Sequence, residues 1–293
     1  MNNSINQFND MVAQLKSNLH GDYVARPENV YLEGEPKNRE IIGNMVEKLM
    51  KPGSAIRGVE NLKKLHDYSK SGKACLLLVE HYSNFDYPAL YRLIEKTEGL
   101  GSEVAETLLP IQGMKLSESS DLTAAFSNSY NTIVIYPSRS IDSETDPVKQ
   151  AEIRKISLPI NHAAMKELTH RKYNGSIVIV FPAGTRYRPW VPESKKGVRE
   201  IYTYLKAFDY VSFVSINGNL LVPCQEDDME KDTLQEDVVL FSVSKPVKGK
   251  DFRNEKTALA PQGEDSKQFV VDQVMAELDK RHQEAEEYRK TLL

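Results

Sequence analysis

Cysteine is scarce in this sequence: Cys75 and Cys224 are the only two in 293 residues. Two cysteines so far apart exclude a disulfide-dense scaffold and a thiolate metal site of CxxC spacing. Cys75 lies within "ACLLLV", which reads as a buried strand, and both are expected to be reduced core thiols. Long apolar runs are missing as well. "ACLLLV" and "SIVIVF" fall far short of the roughly 18 to 20 residues that cross a bilayer. The opening "MNNSINQFNDMVAQLKSNLH" has neither the basic start nor the uninterrupted apolar stretch of a signal peptide. The expectation is a cytoplasmic protein, peripheral at the membrane at most. Basic charge is not in excess either. The formal net charge of -4 excludes the overall basic balance of a nucleic-acid binder, so any basic site must be local.

Several catalytic signatures are absent too. There is no G-x-S-x-G elbow, no GK[ST] phosphate loop, no HExxH and no paired CxxC, which removes the usual marks of serine hydrolases, P-loop enzymes and zinc proteases. No metal or cofactor is implied. His20, His66, His162, His170 and His282 show no spacing that joins them, and each reads as surface or local.

What is present is a globular chain, 40% hydrophobic and 27% charged, enough for a sizeable core. Ile5, Phe8, Met11, Val12, Leu15 and Leu19 recur at helical spacing, and "EIIGNMVEKLM" resumes it before the breaker "KPGS". This predicts a small N-terminal helical domain over residues 1–58. From residue 59 to 293, helical patterns alternate with β-branched runs: "ENLKKLHDYSK", "ACLLLVE", "YPALYRLIEKT", "TIVIYP", a helix from Pro147 to His170, "SIVIVF", "KKGVREIYTYLKAF", "VSFVSIN" and "DVVLFSVSKPV". Such alternation predicts an α/β domain with a largely parallel central sheet covered by helices on both faces. The closing charged helix begins at a cap, Asp265 or Ser266. Ligands of this architecture gather at the carboxyl ends of the strands.

Three stretches sit at such ends: "HYSNFD" (His81 to Asp86), "YPSRS" (Tyr136 to Ser140) and "FPAGTRYRPW" (Phe181 to Trp190). Taken alone, the first is a helix start capped by Asp86 or Ser83 and entered through Pro88, with His81 bonded locally. Its other reading is a general base, because an imidazole titrates near neutrality and a carboxylate on its second nitrogen fixes the tautomer. The third stretch combines Gly184, which permits close backbone approach, with Arg186 and Arg188, whose planar forks suit a phosphate. Arg139 in the second adds another permanent cation. Convergence of the three on one sheet edge favours a phosphate pocket beside a histidine base.

"HYSNFD" followed about a hundred residues later by "FPAGTR" resembles the glycerolipid acyltransferase family. Within it, the lack of membrane spans, the N-terminal helical segment and "RYRP" are most similar to the soluble, chloroplast-type glycerol-3-phosphate acyltransferases. The resemblance implies that His81 is the base, that Asp86 orients it, and that Arg139, Arg186 and Arg188 contact the acceptor's phosphate. Ala183 stands where many membrane-bound relatives have glutamate, and Ser140 where the soluble branch can have histidine.

The implied reaction carries a fatty acyl group from acyl carrier protein or acyl-coenzyme A to the sn-1 hydroxyl of glycerol 3-phosphate, with peripheral membrane contact for product release. Basic clusters "HRK" (170–172) and "SKKGVR" (194–199) suit either acidic donor. Backbone N–H groups after His81 or around Gly184 are expected to hold the oxyanion. The alternatives are a lysophosphatidate acyltransferase, a phosphohydrolase using the same His81 and Asp86, and a non-catalytic phospholipid-binding protein.

Overall fold

A computed structural model describes residues 8–18, 24–114, 121–138, 141, 144–226 and 229–293. The chain divides into two compact units, one holding Gly43–Leu108 and Lys172–Leu293, the other Phe8–Ile42 and Leu109–Arg171. The described strands are β1 (Tyr31–Leu32), β2 (Ala55–Arg57), β3 (Cys75–Val79), β4 (Leu108–Gly113), β5 (Thr132–Ile135), β6 (Ile177–Val180), β7 (Tyr210–Asn217), β8 (Leu221–Val222), β9 (Thr233–Leu234), β10 (Leu240–Val243) and β11 (Val247–Lys248). The fold is α/β, and nine of these strands form mixed, mostly parallel sheet flanked by helices.

In the first unit the strand order is β6-β3-β7-β10-β2, with β11 also paired to β7. β3 runs parallel to both β6 and β7, while β10 and β11 are antiparallel to β7. Every residue of β3 and β6 is buried. Because successive side chains of a strand point to opposite faces, that pattern means cover on both faces. The helix Val59–Lys70 packs on β3, β6, β7 and β10, and the helix Ser266–Lys290 packs on β7 and β10. The latter is capped by Asp265, whose carboxylate accepts the N–H groups of Lys267 and Gln268.

The second unit pairs β4 parallel and β1 antiparallel to β5. Its helices include Asn9–Ser17, Asp121–Ser127 and nearly all of Pro147–Tyr173. Among the described residues no helix is long and apolar enough to cross a membrane.

Candidate active site

β3 and β6 are parallel neighbours with Leu78 opposite Val180, so the chains leaving both strands emerge side by side within the first unit. The two sequence stretches meet there. The His81 ring stacks on Phe181 with centroids 4.2 Å apart and planes 22° from parallel, and the His81 carbonyl accepts the Tyr187 N–H at 2.8 Å. His81 Nδ1 lies 2.9 Å from Asp86 Oδ2. With Nδ1–H donated to that carboxylate, Nε2 carries the lone pair, and among the described residues nothing hydrogen-bonds it. The histidine side chain is 18% exposed and the aspartate 4%, so the imidazole is accessible and its partner is not.

Asp86 is the first residue of the helix Asp86–Lys96, and its side chain does not cap that helix. It turns back into the loop instead. Oδ2 accepts the N–H groups of Tyr82 at 2.6 Å and Ser83 at 2.9 Å, and Oδ1 accepts the Ser83 hydroxyl at 3.0 Å. The Phe85 N–H goes to Ser83 Oγ. These bonds compensate the burial of a carboxylate, which is costly without them. They also occupy three backbone donors of the helix start where an oxyanion site was expected.

In the third stretch Gly184 closes a turn. Its φ of +65° is left-handed, a region glycine enters without penalty, and its N–H donates to the Phe181 carbonyl at 2.9 Å. Arg186 points inward. Its Nη1 donates to Asp232 Oδ2 at 2.7 Å, and the two side chains are 9% and 0% exposed. Asp232 Oδ1 also accepts the Cys224 N–H. Arg188 is half-buried, on a backbone tied by its N–H to Ser194 Oγ and by its carbonyl to the Val191 N–H. Arg139 and Ser140 lie outside the described residues.

A second cluster adjoins the first and was not legible from motifs. Glu80, buried, precedes His81. Its Oε2 accepts from His282 Nδ1 at 2.9 Å and from the Ile216 N–H at 2.8 Å, while Oε1 accepts the Tyr82 hydroxyl at 3.1 Å. His282 is therefore neither a surface nor a locally bonded histidine, since its partner is about two hundred residues away in sequence. Burial lowers its pKa, but the bond to Glu80, the charge of Glu80 and that of Glu286 outweigh burial and the opposing Lys195, so the net shift is upward. Burial, followed by Glu80, pushes the Tyr82 phenol above its ordinary range. Only sequence distance hid this cluster, because an isolated histidine in a charged helix carries no signal of a partner so remote.

The two basic clusters are less available than their composition implies. Lys172 is buried and donates to the Ala207 carbonyl, and burial lowers its pKa. Lys195 pairs with Asp279 and Arg199 with Asp265. Among the described residues no group of three or more His, Cys, Asp or Glu is placed to hold a metal ion. No known protein family matches the chain, and no curated protein does.

Proposed function

We infer that the protein is an acyltransferase that moves a fatty acyl group from a thioester of acyl carrier protein or coenzyme A to the sn-1 hydroxyl of glycerol 3-phosphate. The observation that carries this reading is the His81–Asp86 pair, 2.9 Å apart at the carboxyl end of β3. It is supported by the order and spacing of "HYSNFD" and "FPAGTR" and by the stacking of their first residues, His81 and Phe181.

In this mechanism Nε2 of His81 takes the hydroxyl proton as the acceptor oxygen attacks the thioester carbonyl. Asp86 holds the tautomer and stabilises the imidazolium, a contribution of roughly 10²- to 10⁴-fold for a positioned base. The C–O bond forms, the C–S bond breaks, and the proton on His81 passes to the departing thiolate. No covalent enzyme intermediate is needed. Arg188 grips the phosphate, which makes the attack effectively intramolecular. Arg186, engaged with Asp232, fixes the loop that carries Arg188.

The test is purified protein with glycerol 3-phosphate and acyl thioesters of both donors, following free thiol and lysophosphatidate. Both products should appear together, and His81→Ala should abolish them while glycerol 3-phosphate still binds. Absence of thioester-dependent product with either donor would sink the reading. Release of inorganic phosphate without thiol would make the same pair a phosphohydrolase.

A further inference from the structure

The helix Pro147–Tyr173 carries apolar side chains on two faces. Ser157, Ile160, Ala164 and Leu168 are buried and lie three or four residues apart, the spacing of a single inward stripe. On the outward side, the same spacing groups Val148, Leu158 and Met165 with Lys155 and Lys166. Val148 and Leu158 are each 69% exposed, Met165 is 39% exposed, and Ile156 at the margin is 58% exposed. A helix facing water is ordinarily polar on its outward side. Single exposed apolar residues are commonplace, but five on one helix, these four and Tyr173, interleaved with cations, form a surface of defined chemistry.

The helix that carries this face has a charge opposite to that of the chain. Within residues 147–171 the cations are Lys149, Arg154, Lys155, Lys166 and Arg171, and the carboxylates are Glu152 and Glu167. Five against two leaves +3, in a chain whose formal net charge is -4. The complement of such a face is anionic at its surface and apolar just beneath, which is the layering of a bilayer containing acidic phospholipids. The exposed aliphatic residues span Val148 to Met165, about 25 Å at the rise of a helix, and the helix's one aromatic, Tyr173, lies beyond them at its last residue. A protein partner is usually gripped by a compact cluster rich in aromatics, whereas a shallow linear stripe suits a planar interface.

We propose that this outward face is a peripheral contact surface for anionic phospholipid bilayers. Val148, Leu158 and Met165 enter the interface, while Lys155 and Lys166 lie at the headgroup phosphates. The proposal does not rest on the His81 site, and its test needs no turnover.

The experiment is co-sedimentation of the full-length protein with vesicles of phosphatidylcholine, alone or with about a third phosphatidylglycerol. Binding is expected to the anionic vesicles, to be weak on neutral ones, and to be lost near about 0.5 M salt. Lys155→Gln with Lys166→Gln should weaken it roughly 25-fold, about fivefold per cation. Leu158→Ser with Met165→Ser should weaken it at least about tenfold. Circular dichroism and melting temperature, unchanged in both pairs, separate these losses from misfolding. Equal binding to neutral vesicles, no binding to anionic ones, or wild-type binding by both variants overturns the proposal. So does a vesicle-inert protein in which the same variants abolish either a complex with a purified acidic carrier protein or a dimer seen by sedimentation.

Discussion

Glu80 accepts a hydrogen bond from His282 across 2.9 Å, tying the residue before His81 to the helix Ser266–Lys290. The histidine's pKa is raised in the folded state, with Glu80 overcoming burial. A group whose folded pKa exceeds its unfolded value stabilises fully below the unfolded value and loses that contribution as pH rises through the folded one. His282 should therefore stabilise the protein at about pH 5 and progressively less as pH passes upward through about 6.5 and beyond. His282→Gln is expected to cost on the order of 1–2 kcal/mol at low pH and less at high pH. Urea denaturation of both proteins across this range checks it, and a pH-independent difference would contradict the charged pair.

Asp86 has two duties that one substitution can separate. It orients His81, and it accepts the N–H groups of Tyr82 and Ser83 and the Ser83 hydroxyl. Asp86→Asn should lower kcat by roughly 10²- to 10⁴-fold, because an amide neither stabilises an imidazolium nor enforces the tautomer. Ser83→Ala removes one bond to the same carboxylate and should cost about 1 kcal/mol of stability, with a much smaller effect on kcat. Thioester turnover and denaturation of the two variants provide the measurement. Equal losses of kcat would reduce Asp86 to a loop anchor.

The sheet was legible where its strands are continuous apolar runs. "CLLLV", "IVIV" and "YVSFVSIN" are almost wholly buried, and a strand covered on both faces announces itself by composition. β4, "LLPIQG", was missed because Pro110 and Gly113 mark a segment as turn rather than strand. "KKGVREIYTYLKAF" reads as one helix, yet the helix is only Ile201–Ala207. At Gly197 a Cβ would come within 2.5 Å of Val271 Cγ1, so the chain packs tightly there against the Ser266–Lys290 helix. Within the site, the pairing of His81 with Asp86 was readable because the partners are only five residues apart in sequence. The partners of Arg186 and Glu80, Asp232 and His282, were not, since only the folded chain brings them near.

Arg186 and Asp232 form a pair whose removal should be felt first in stability. Both side chains are largely or wholly buried and their atoms are 2.7 Å apart. Breaking a buried pair strands a charge, at a cost of about 3–5 kcal/mol. Arg186→Met alone should therefore destabilise strongly, and the double variant Arg186→Met with Asp232→Leu should recover much of the loss. Chemical denaturation of the two variants tests this. If the single variant is nearly as stable as the parent but loses affinity for glycerol 3-phosphate, Arg186 contacts the acceptor directly rather than fixing the loop.

The two thiols should differ sharply in reactivity. Cys75 is fully buried in β3, and burial, followed by the charge of Asp209, pushes its pKa up to about 12. Only the thiolate attacks an alkylating or disulfide reagent, so at about pH 8 the folded protein keeps Cys75 protonated as well as shielded. Cys224 is half-buried and offers the accessible thiol. A thiol titration of native protein should thus count one group, and a second should appear only in denaturant. Peptide mapping should place the native label on Cys224. Labelling of Cys75 at a rate above that of global unfolding would show that the sheet opens locally at β3, which its position between β6 and β7 argues against.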